Sequence, residues 1–124
     1  MKQHSKISVI LLGEHDKGTG CAFSPETVSG RRLRKIVADI GLECDFNNVF
    51  SYSNGATSNH GLAEICKPYS VVVALGKIAA EECNIQGIQA IYLPHPAVRS
   101  QSQLNKLRDG LLTLKDNPAG YVYQ

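Results

Sequence analysis

Ile7-Ser8-Val9-Ile10-Leu11-Leu12 is almost unbroken in its hydrophobicity and stops at Gly13. A strand with one face in water alternates polar and apolar residues, whereas a run of this kind needs cover on both faces. Val71-Val72-Val73-Ala74-Leu75, ending at Gly76, has the same character; Ala90-Ile91-Tyr92-Leu93 is a shorter run, and residues 46–50 form the weakest. Patterns of helical type separate these runs. Val28, Leu33, Ile36, Val37 and Ile40 recur at helical spacing, with Arg31, Arg32, Arg34 and Lys35 mostly on the other face. Ser24-Pro25-Glu26-Thr27 supplies cap candidates ahead of that helix, and Gly41 ends it as an αL cap. Further helices are predicted over residues 60–66, from 77 to about 83, and over 102–114, the last with Leu104, Leu107, Leu111 and Leu114 on one stripe. Strands alternating with helices imply an α/β fold: a three-layer αβα sandwich around a central, mostly parallel four-stranded sheet. One domain spanning residues 1–124 is the economical reading.

Composition narrows the function. With 124 residues, 43% of them hydrophobic and 19% charged, the chain can bury a core without disulfide staples. A net charge of +2 argues against a generally basic coat protein for nucleic acid. The dense basic cluster Arg31-Arg32-Leu33-Arg34-Lys35 can still track phosphates, or serve as a solvated helix face. Cys21, Cys44, Cys66 and Cys83 form no CxxC pair, so they give no zinc or iron–sulfur signature and are expected free and mostly buried. No metal site or other cofactor is expected. The first apolar run is too short for a signal peptide, and none approaches membrane-spanning length, so a cytoplasmic protein without a membrane partner is expected.

Three places concentrate groups capable of chemistry. In Leu93-Pro94-His95-Pro96, two prolines stiffen the loop that presents one imidazole beyond a strand's carboxyl end, the edge where open α/β sheets bind ligands. After the first strand, Gly13-Glu14-His15-Asp16-Lys17-Gly18-Thr19-Gly20 crowds titratable groups into one loop; its Gly-Thr-Gly is only a weak hint of a phosphate cradle. Asn47-Asn48 lies in the second run, where an amide needs a reason: base-edge recognition, or an Asx turn, which fits Asn47 better.

The order of these pieces resembles the uracil-DNA glycosylase superfamily. The likeness rests on Glu14 after a strand-ending glycine, the downstream Phe23, the Ser29-Gly30-Arg31-Arg32-Leu33 helix, an asparagine at the second strand, Ala74-Leu75-Gly76-Lys77-Ile78-Ala79-Ala80 at the third, and Leu93-Pro94-His95-Pro96 at the fourth. It covers about residues 7–114. It implies that Glu14 positions or activates water, with Asp16 a rival because the first motif lacks the usual proline. Phe23 would stack on a flipped base, Asn48 would read its edge, and His95 would donate to the pyrimidine O2. Arg31, Arg32, Lys77 and Arg99 would hold the DNA backbone. The loop after His95 offers Arg99 where a wedging leucine is usual, and Ala97 where the motif has serine.

Those residue types suit the reaction that the likeness implies. Cleaving an N-glycosidic bond builds positive charge on the sugar and negative charge on the departing base, so a carboxylate and a fixed donor stabilise both. The base must first leave the stack. The expected function is hydrolysis of uracil or a related modified base from DNA, the first step of base-excision repair. Ala97 and the altered first motif keep open a second reading: a catalytically silent glycosylase-like domain that binds DNA, a nucleotide or a partner protein.

Overall fold

The computed structural model describes residues 8–14, 22–52, 56–58 and 61–116. In chain order the elements are β1 (Val9–Gly13), α1 (Val28–Ile40), β2 (Asp45–Asn48), β3 (Phe50–Tyr52), β4 (Ala56–Ser58), α2 (Leu62–Cys66), β5 (Val71–Leu75), α3 (Lys77–Ile85), β6 (Ile91–Leu93) and α4 (Gln101–Asp116). The main sheet runs β2-β1-β5-β6 with every pairing parallel, and β3 and β4 form a separate antiparallel pair.

The two runs richest in Val, Ile and Leu become the two central strands, and all residues of β1 and β5 are buried. Alternation sorts their side chains. Val9, Leu11, Val71, Val73 and Leu75 pack with Leu33, Val37 and Ile40 of α1 and Leu107, Leu111 and Leu114 of α4. Ile10, Leu12, Val72 and Ala74 pack with Leu62 and Cys66 of α2 and Ala79 and Cys83 of α3. This is the expected αβα sandwich. Each fully buried large apolar side chain contributes about 1.5–3 kcal/mol, so a polar residue at Leu11 or Val73 would unseat a whole face.

Chain direction across the sheet reverses once. From β1 the chain moves to β2 on one side, then returns past β1 to β5 and on to β6. Right-handed crossovers put the helices of opposite steps on opposite faces, as found for α1 against α2 and α3. The reversal leaves a crevice between the carboxyl ends of β1 and β5, the switch point where α/β sheets bind ligands.

Local chemistry sets the helix ends. The Thr27 side chain caps α1 by accepting the Gly30 N–H at 2.9 Å, and Gly41, at φ 72°, closes it with Leu42 N–H on Val37 O. Two expectations need correction. Val28 is 59% exposed, and Ser29 and Gly30 take its place on the buried face, with the 23–24 backbone lying against Gly30. The second apolar run is also not one strand over 46–50: β2 ends at Asn48, and Phe50 opens the β3–β4 pair. Cys44, Cys66 and Cys83 are free, the last two buried; Cys21 lies outside the described residues. Among the described residues, no helix is long and apolar enough to cross a membrane, and no group of three or more His, Cys, Asp or Glu is placed to hold a metal.

Candidate active site at the carboxyl edge of the sheet

Four of the residues singled out in the sequence meet at this edge. Glu14 follows the last residue of β1, and Asn48 pairs in register with Gly13 at the end of β2. Phe23 lays its ring over Gly13: a methyl in place of the glycine hydrogen would stand 2.5 Å from the ring Cζ and 3.2 Å from Asn48 Oδ1. The His95 ring lies 6.2 Å from that of Phe23, centroid to centroid. Asp16 lies outside the described residues.

The loop bearing Phe23 is held in a conformation its own residue disfavours. Phe23 has φ +50°, a region that costs a bulky side chain about 1–2 kcal/mol. Four contacts offset this. The Arg34 Nε donates to Phe23 O at 2.6 Å, and an Nη donates to Ala22 O at 3.1 Å, while the guanidinium sits 4.6 Å from the Phe46 ring centroid. Phe46 meets Phe23 edge-on at 5.9 Å. Gly30 lets the loop lie on α1 at all, since a Cβ there would come within 1.9 Å of Ser24 O.

The same helix holds the histidine loop. Arg32 Nη1 donates to Pro96 O at 2.8 Å and to Val98 O at 3.1 Å, and Val98 N–H returns to His95 O. Placed by sequence among the phosphate contacts, Arg32 is half-buried and turned onto this loop. Within the loop, Ala97 N–H donates to His95 Nδ1 at 2.9 Å. Nδ1 is thereby an acceptor, and the neutral ring carries its proton on Nε2, where it is a donor. Behind the ring, Gly76 adopts φ 98°, and a Cβ would press within 3.1 Å of His95 Cβ.

Glu14 and His95 line one open cavity of about 890 Å³ with Gly76, Lys77, Ile78, Tyr92 and Lys106, a size usual for ligand sites. The first turn of α3 forms part of its wall, and its N-cap is Gly76, which has no side chain to cap it. A helix start flanked by two lysines favours anionic groups. Phe23 and Asn48 are only 7% and 9% exposed and stand behind this cavity rather than on its lining. Asn48 N–H donates to Asn47 Oδ1 at 2.8 Å, a bond to the next residue within β2 and not the i to i+2 bond of the Asx turn expected of Asn47. Arg31 is exposed, with Nη1 on Pro25 O at 3.2 Å; Lys77 is exposed in the cavity, and Arg99 is exposed just before α4.

Sequence reasoning missed Tyr92, Ile78 and Lys106 on the cavity, and the part Arg32 and Arg34 take in holding the two loops. Tyr92 sits between apolar neighbours and reads as core. Its place on the edge strand leaves it 48% exposed. Neither a scan against protein-family models nor a search of curated proteins gives a match for this chain.

Proposed function

We propose that this chain is a DNA glycosylase of the uracil-DNA glycosylase type, hydrolysing the bond between deoxyribose and uracil or a related modified base without a metal or redox cofactor. One observation carries the reading: Glu14 and His95, far apart in sequence, line the same cavity at the carboxyl edge of the sheet, with the Phe23 ring 6.2 Å from that of His95 and Asn48 beside Gly13. In this mechanism His95 Nε2–H donates to the pyrimidine O2 as negative charge gathers there. The Glu14 carboxylate faces the sugar, steadying its positive charge and orienting water at C1′. Lys77 and Lys106 take phosphates, and Arg31 and Arg99 extend that contact at the surface.

The test is incubation with single- and double-stranded oligonucleotides bearing uracil and other modified pyrimidines, followed by alkali. Strand breaks at the modified position are expected. Replacing His95 with alanine should slow release about 30- to 1,000-fold, as for loss of one fixed donor. Wild-type protein leaving every such oligonucleotide intact would overturn the reading.

The burial of Phe23 and Asn48 favours a second reading, a silent domain that binds nucleic acid without cleaving it. Oligonucleotide affinity unchanged by Glu14→Gln and His95→Ala, with no abasic product, selects it.

A further inference from the structure

We infer that Tyr92, together with Ile78, forms a stacking subsite for an unpaired nucleobase next to the excised one. The inference rests on the glycosylase reading for the identity of the neighbouring base. Tyr92 and Ile78 are large apolar side chains left 48% and 50% exposed, and both line the cavity that holds Glu14 and His95. Their neighbours on that lining include Lys77 and Lys106, so the apolar patch lies within reach of two cations. An aromatic face beside lysines matches the two parts of a strand with splayed bases: ring surface for the base, positive charge for the phosphates. A base still paired and stacked in a duplex cannot offer its face to Tyr92.

The geometry suits a polymer crossing the sheet edge. Tyr92 pairs with Ala74 in register, on the sheet face that α3 covers, whereas Gln103 and Lys106 reach the cavity from α4, which covers the other face. Because β6 is an edge strand, the cavity wraps past its carboxyl end from one face to the other. His95 sits along that path, so a strand laid through it places one base at the imidazole and an adjacent one at Tyr92.

The experiment uses the full chain and short single strands carrying 2-aminopurine, with and without uracil one nucleotide to its 5′ or 3′ side. Stacking on Tyr92 should quench the fluorophore. Tyr92→Ala and Tyr92→Leu should each weaken single-strand binding by about 5- to 100-fold and abolish the quench, while Tyr92→Phe preserves both and Ile78→Ala gives a smaller loss. Duplex binding should change less than twofold. Wild-type affinity and quench in Tyr92→Ala would overturn the subsite, as would equal losses in the Phe and Ala variants. If wild-type protein cleaves nothing yet shows the Tyr92-dependent quench, the subsite stands and only the proposed reaction falls.

Discussion

Replacing Arg32 with alanine separates two roles for one cation: a DNA phosphate contact, or a buttress for the loop that presents His95. The guanidinium makes two bonds, to Pro96 O and Val98 O, at 2.8 and 3.1 Å from a half-buried position. A hydrogen bond to a charged group contributes about 1.5–3 kcal/mol net, and partial exposure favours the lower end, so the pair supports the loop by about 2–3 kcal/mol. At about 1.4 kcal/mol per tenfold, that is a bias of about 30- to 140-fold toward the geometry in which Ala97 N–H holds His95 Nδ1.

Two measurements distinguish the roles. As a buttress, Arg32→Ala should raise the hydrogen-exchange rates of the Ala97 and Val98 amides by up to that factor and lower kcat in the glycosylase assay, with little change in KM. Arg32→Lys also has one nitrogen that can donate to both carbonyls, as Nη1 does, but carries it on a more flexible stem, so it should recover only part of the loss. The slope of log affinity against log salt should not move. A slope shallower by about 0.9, with unchanged amide exchange, would refute the buttress and return Arg32 to the DNA backbone.

Three further outcomes follow from the packing. Gly30→Ala drives a methyl into Ser24 O, so urea denaturation should report a loss of about 1–3 kcal/mol; Gly87→Ala, at φ 73° with nothing within 4 Å, should cost only the backbone strain of about 1–2 kcal/mol. Gly76→Ala is strained at φ 98° and also pushes on His95, so it should reduce the proposed glycosylase activity more than its loss of melting temperature accounts for. Burial, with smaller contributions from Cys66 and Glu82, pushes the Cys83 thiol from 9.0 to about 11; burial and the Asp45 carboxylate, against Arg34, do the same for Cys44. The native state then holds more protons than the unfolded chain between about pH 9 and 11. Stability should therefore be full below pH 9 and fall as pH rises through that window, Cys83 alone contributing about 2–3 kcal/mol, measurable by urea titration at each pH.

How legible the molecule is in its sequence depends on how local each determinant is. The four strands of the main sheet and all four helices are written in short-range pattern: unbroken apolar runs for β1 and β5, helical spacing and caps for α1, a leucine stripe for α4. The β3–β4 pair was not, because its strands are three residues each with no clear alternation. The available signal was Asn54-Gly55 in the sequence between them, a dipeptide that favours hairpins. Glu14, Asn48 and His95 stand out because polar groups at strand ends need a reason. Tyr92 does not, since its exposure comes from β6 being an edge, a property of strand order rather than of neighbouring residues.

The arginine cluster shows the same limit in another form. Sequence places Arg31, Arg32 and Arg34 together as a charged surface, yet the helix turns them to different tasks. Arg34 ties down the Phe23 loop, Arg32 ties down the His95 loop, and Arg31 stays exposed. With Gly30 admitting the 23–24 backbone, α1 thus fixes two segments distant in sequence from one rigid element, and the rings they carry lie 6.2 Å apart. A basic cluster on an amphipathic helix can therefore serve pre-organisation before it serves any phosphate. The carbonyls that accept its protons, not the net charge, decide between the two.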